Sequence, residues 1–295
     1  MNHPGLSSPR LCLTVATVIV LAMALPAFAT APSSVVEAAS PVDSLILKRA
    51  AYVALMLLAM GTAWFLLLIP VSVPVATNLR RLLAVGTVGG LMAGALIPQQ
   101  LNALAISGFG LLLLANWRRH RALLLGGALA LGASRAVMGH PVSRDPSFLL
   151  MPLMILHVSC AAYWVGSLWP LHRVLRVETL AAAATVVTRF SRLAVAAVGT
   201  LALVGAVTAL IHLAWPIALL ESWYGQLLIM KSTWFTVLMA IAAYHKLKLA
   251  PRLVAGSAAA ARHMRWGIRA EAVIMLLVIL LSALLASTPP GAPPP

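Results

Sequence analysis

Acidic residues are nearly missing from this chain. Six Asp and Glu stand in 295 residues, against 21 Lys and Arg. So few scattered carboxylates cannot build an all-protein calcium or magnesium cage, which needs several oxygen ligands at one place. Charge of either sign is scarce as well, at 9%. A soluble domain carries roughly 25%, so this chain has too little charge to cover a water-facing surface. Cysteine occurs twice, as Cys12 and Cys160, which excludes a disulfide framework. The chain has no Gly-rich phosphate loop, no His-Glu-x-x-His helix and no Cys-x-x-Cys pair, and it is read as a protein that is not an enzyme.

What is present is apolar: 62% of the residues are hydrophobic. Lipid admits only helices and closed barrels, and the apolar runs are continuous rather than alternating, which argues against a barrel. The expected fold is all-α, a polytopic membrane bundle of about eight transmembrane helices after an N-terminal signal peptide. Residues 1–31 read as that signal. Arg10 precedes an apolar run from Leu11 to Leu25, and Ala27-Phe28-Ala29 and Ala29-Thr30-Ala31 are both small-x-small cleavage sites. An uncleaved first helix is the alternative. Residues 32–43 form a short exported linker, 44–287 the membrane domain and 288–295 a proline-rich disordered tail. A bilayer crossing takes about 20 apolar residues. The candidates lie at 44–70, 82–98, 100–117, 120–138, 147–170, 190–214, 226–248 and 267–287.

The net charge of +15 does not indicate nucleic acid, because the basic residues sit in clusters between apolar segments. With the mature N-terminus outside, the inner turns hold Arg80 and Arg81, then Arg118, Arg119 and Arg121, then Arg173, Arg176 and Arg189. The last inner turns hold Lys246, Lys248, Arg252, Arg262 and Arg265. The outer turns are almost free of bases, Lys48 and Arg49 being the main exceptions. This asymmetry supports eight spans with both mature termini periplasmic. Glycines inside the spans, such as Gly86, Gly90, Gly127 and Gly132, are expected at close helix contacts.

One span carries metal-ligand side chains at regular steps. Met151, Met154, His157 and Cys160 follow one another at i, i+3, and Met138-Gly139-His140 lies in the turn before them. Thioether, imidazole and thiol are the ligands that soft copper(I) prefers. Ionisable groups inside a bilayer are usually functional. Entering from outside near Ser147, the helix carries His157 about 15 Å deep. Steps of three residues drift around the helix, so Met154 and His157 are close neighbours while Met151 and Cys160 lie at the edges of the stripe. His140 with His157, supplemented by Met154 or Met138, is the leading ligand set. Cys160 reads first as a small buried hydrophobe, and His212, at the outer end of the sixth span, either joins an outer site or is interfacial.

Three further ionisable groups enter spans. Arg135 and Lys231 have stems long enough to snorkel. Glu271, shorter, has Arg265 and Arg269 nearby and reads as a structural ion-pair partner, with a proton or ion relay as the alternative. His245, at the inner end of the seventh span, reads as an interfacial anchor or as a receiver of an ion leaving the pathway.

The stretch from Met138 to Pro290 resembles the copper resistance protein D family. The resemblance rests on Gly139-His140, on Leu156-His157 followed by Ala161-Ala162-Tyr163-Trp164-Val165-Gly166-Ser167-Leu168, and on Arg189-Phe190-Ser191-Arg192. It continues through Tyr224-Gly225-Gln226-Leu227-Leu228-Ile229-Met230-Lys231 and Arg269-Ala270-Glu271, ending at Ala286-Ser287-Thr288-Pro289-Pro290. Ser167 departs from the family's second Gly, and His245 stands where the family pattern has Asn. The resemblance implies an inner-membrane copper transporter with copper ions as substrate, supplied by a separate CopC-like periplasmic copper-binding protein; a homo-oligomer is left open. A membrane oxidoreductase binding haem, similar to HemJ-type protoporphyrinogen oxidases, is the alternative, with His157 and His212 or His245 as axial ligands.

Overall fold

The computed structural model describes residues 39–97, 100–138, 147–212, 220 and 222–288. The expected signal sequence, the turn holding His140 and the proline-rich tail lie outside the described residues. Those described are almost wholly helical, with no strand among them. In chain order the helices are α1 (Ala39–Leu68), α2 (Val73–Ala95), α3 (Ala103–Arg118), α4 (Arg121–Ala136) and α5 (Ser147–Gly166). They continue as α6 (Leu168–Val177), α7 (Leu180–His212), α8 (Trp223–Tyr244), a π-helical turn (His245–Leu249), α9 (Ala250–Val254) and α10 (Ala258–Leu285).

Each stretch expected to span is helical, but the helices are not equal. Five segments are long and apolar enough to cross a membrane: Ser44–Leu68, Phe148–Val177, Leu180–Leu210, Trp223–Val254 and Ala258–Leu285. This is a multi-pass membrane protein built as a helical bundle. Between the first and second of these segments lie α2, α3 and α4. The 23 residues of α2 would reach across, but Asn78, Arg80 and Arg81 occupy its first half and leave a short apolar remainder. α3 and α4 have 16 residues each, a rise of about 24 Å against a hydrocarbon thickness of about 30 Å. Helices this short meet the bilayer by thinning it locally or by oligomerising.

α1 is the central helix, packing against α2, α4, α5 and α10. Small residues help explain this position, because Ala59, Gly61 and Ala63 let neighbouring backbones come close. Tyr52, Met56, Met60 and Phe65 are fully buried. The tightest crossing is with α5. A Cβ on Gly61 would collide with the Ala162 carbonyl oxygen and the Gly166 backbone, and one on Gly166 with the Leu57 carbonyl oxygen. Two glycines face one another here, so the backbones touch. In lipid, where apolar surface gains little by leaving its solvent, such close van der Waals contact is the main source of helix association. Next to this crossing, the Ser167 hydroxyl donates to the Gly61 carbonyl at 3.3 Å. α5 ends there, and the chain continues into α6.

Basic side chains secure helix ends. On the expected inner side, Arg265 donates to the Leu175 carbonyl at 2.9 Å, and the Ser72 amide donates to Glu178 at 3.1 Å. On the outer side, Arg135 donates to the Gln100 side chain at 2.7 Å and Arg49 to the Ser287 hydroxyl at 2.6 Å. Arg135 is therefore engaged between helices.

Candidate functional site

The four ladder residues share α5, but they do not share surroundings. His157 is half-buried and faces α8, where the Lys231 ammonium lies close enough to act electrostatically on its ring. Two turns further on, Trp164 meets Phe235 of α8 edge to face, with ring centroids 5.9 Å apart. Cys160 points elsewhere. It lines a separate cavity of about 270 Å³ between α1, α5 and α7, with Trp64, Tyr163 and Thr200. Met154 packs against the apolar core, and Met151 is half-buried near the start of the helix. Met138 lies in the turn after α4, its amide donating to the Arg135 carbonyl at 3.4 Å. His140 and the His212 side chain lie outside the described residues. Among the described residues no three His, Cys, Asp or Glu side chains come together.

A second constellation was not assembled by sequence reasoning. A cavity of about 540 Å³ lies among α5, α6, α7, α8, the π turn, α9 and α10. Its wall is mainly apolar and aromatic, with Trp164, Phe190 and Phe235, and Met239 and Met264 contribute thioethers. Its polar side chains are Ser191, Lys246, His245 and Glu271. The His245 Nδ1 stands 3.2 Å from the Glu271 carboxylate. Glu271 is 3% exposed. Arg265 and Arg269, its expected partners, are occupied otherwise: Arg265 reaches the Leu175 carbonyl, and Arg269 lies over the Trp266 ring at 4.8 Å. The imidazole takes their place because it arrives from another helix at the depth of the carboxylate, while both arginines extend away from it.

Local sequence builds this pair. Proline at 251 has no amide hydrogen and its ring crowds the carbonyl four residues back, so a regular α-helix is disfavoured through residue 247. The chain responds with a π turn, in which the Ala250 amide bonds to the His245 carbonyl. Single π turns inside α-helices occur frequently at functional sites. Opposite, α10 presents Gly267, one turn before Glu271. A Cβ there would overlap the His245 ring, so the missing side chain is the seat of the imidazole. The available cues were a His six residues before a Pro, and a Gly four residues before the one acidic residue of the last span.

No curated protein and no solved structure matches the chain. Residues 184–285 match the family model described as Copper resistance protein D. This stretch holds nearly all of α7 and the whole of α8, the π turn, α9 and α10, and with them the paired histidine and glutamate. Over this third of its length the resemblance read from the motifs is borne out, and the chain is there similar to the copper resistance protein D family.

Proposed function

We propose that the protein moves copper ions across the inner membrane, with His157 as the central ligand. The observation that carries this reading is the placement of His157: an imidazole half-buried ten residues into a bilayer-spanning helix, one turn from the Met154 thioether, in a chain whose C-terminal part matches a copper resistance family. Imidazole with thioether suits a soft cation. Entry is from the periplasm, past His140, Met138 and Met151, and His212 stands at the same outer level. A CopC-like periplasmic protein is the expected donor. The short helices α2, α3 and α4 complete eight spans, with both mature termini outside, as the distribution of Lys and Arg requires.

The test is the copper content of membranes carrying the wild type, His157→Ala or His140→Ala. A clear loss in His157→Ala supports the reading; unchanged copper in both variants removes it. A Soret band on purified protein that binds no copper would replace copper transport by haem chemistry.

A further inference from the structure

We infer that His245 and Glu271 form a proton-binding site that opens into the inner cavity and works in exchange with the transported cation. The inference deepens the transport reading and rests on it for the exchange, though not for the proton site itself.

The pair lacks what a structural ion pair in lipid usually has. Buried ion pairs persist where further hydrogen bonds satisfy the remaining lone pairs. Here Glu271 Oε1 is buried without a hydrogen-bond donor among the described residues. At 3.2 Å the imidazole is in ion-pair range but off the hydrogen-bond direction. What it offers the carboxylate is therefore charge, and only when it carries a proton. Without that proton, the site is a carboxylate alone in an apolar wall. With it, the site is neutral. One proton thus decides the net charge of the pair, gained at the imidazole from water in the cavity and returned there.

The surroundings leave this decision to the proton. The cavity-lining residues of α5, α6, α7 and α8 are uncharged, Ser191 being polar. On α10, Arg265 is held at the Leu175 carbonyl and Arg269 over Trp266. On α6, His172 sits among Arg173, Arg176, Arg265 and Arg269, beside the cavity and not in its wall. Of the π turn and α9, Lys248 and Arg252 are exposed; Lys246 lines the cavity and is exposed as well. Among the described residues no fixed cation is bonded to Glu271.

Access and seating complete the argument. The cavity reaches both members of the pair. His245 is held by the gap at Gly267 and presented by the π turn, so the ring is fixed within ion-pair range of the carboxylate and open to the cavity. A cation entering the same apolar cavity needs a compensating negative charge there. It gets one when the pair gives up its proton, one proton leaving for each singly charged cation, such as copper(I), that arrives.

The test uses full-length protein in lipid vesicles. Infrared difference spectra are recorded across a pH titration without copper, for the wild type, Glu271→Gln and His245→Asn. Glutamine keeps an acceptor at the same place, so the helix contact survives while the proton site is lost. The expected result is a titration with imidazole and carboxylate bands moving together, absent from both variants. Spectra that titrate identically in all three proteins overturn the inference, whatever copper does. In a second arm copper is added to vesicles enclosing a pH dye. Proton movement with copper in the wild type and its loss in Glu271→Gln support exchange; an unchanged ratio of protons to copper in Glu271→Gln overturns it. Absence of copper movement in the wild type sinks the transport reading and leaves the titration result standing by itself.

Discussion

The imidazole of His245 occupies the space that a side chain at position 267 would need, and this places its Nδ1 3.2 Å from Glu271. One missing methyl group on α10 therefore lets a histidine from the π turn reach a carboxylate on the neighbouring helix. The consequence is a buried polar contact in the middle of an apolar cavity wall, with the geometry set by one turn of α10 and a histidine more than twenty residues earlier.

Gly267→Ala is expected to expel the ring. Overpacking of this kind costs about 1–3 kcal/mol, read as a lower thermal midpoint of the detergent-solubilised protein. The double variant Gly267→Ala/His245→Ala should recover most of the loss, because the clash disappears with the ring. Equal instability of single and double variants would show that Gly267 serves another contact.

The crossing of α1 and α5 predicts a larger effect. A Cβ on Gly166 meets backbone atoms of Leu57 and Gly61, which cannot rotate out of the way. Gly166→Val should cost at least the upper end of about 1–3 kcal/mol and lower the yield of folded protein in membranes. Gly199→Ala, where a Cβ would meet nothing within 4 Å, should leave that yield unchanged.

Lys231 lies within electrostatic range of His157, and a positive charge there opposes a bound cation. Lys231→Met should therefore tighten copper binding at His157 by about tenfold, roughly 1.4 kcal/mol, measured by competition with a chromogenic chelator. Weaker binding would show that the lysine helps assemble the site.

Cys160 lines the smaller cavity with Trp64 and Tyr163, away from the stripe that faces α8. Cys160→Ser is expected to leave copper content unchanged, whereas Met154→Leu lowers it. A loss of copper in Cys160→Ser would return the thiol to the ligand set and undo the separation of the ladder.

The membrane class was legible because it depends on composition: with 9% charge, no water-facing surface can be covered. Helix positions were legible for the same reason, since an apolar run in lipid has few alternatives to a helix. The ends were less so. α7 begins at Leu180 and α10 at Ala258, about ten residues before the expected spans, because Ala-rich first turns and the Arg residues that follow them (Arg189; Arg262 and Arg265) continue a helix that hydropathy alone cuts short. The ladder on α5 was visible as a spacing. Its division between an α8-facing His157 and a Cys160 in another cavity was not, since steps of 300° around a helix do not say which neighbour stands on each side.

The sequence by itself determined a multi-pass helical membrane protein with a histidine and a methionine one turn apart deep in a span, because hydropathy, charge asymmetry and ligand spacing are local properties. Only the tertiary structure decided who meets whom. Glu271 had two arginines within reach along its own helix, and its partner proved to be a histidine 26 residues earlier. Pairing across helices depends on crossing geometry, here a π turn on one side and a missing side chain on the other, and neither is expressed in the periodicity of either strand of sequence.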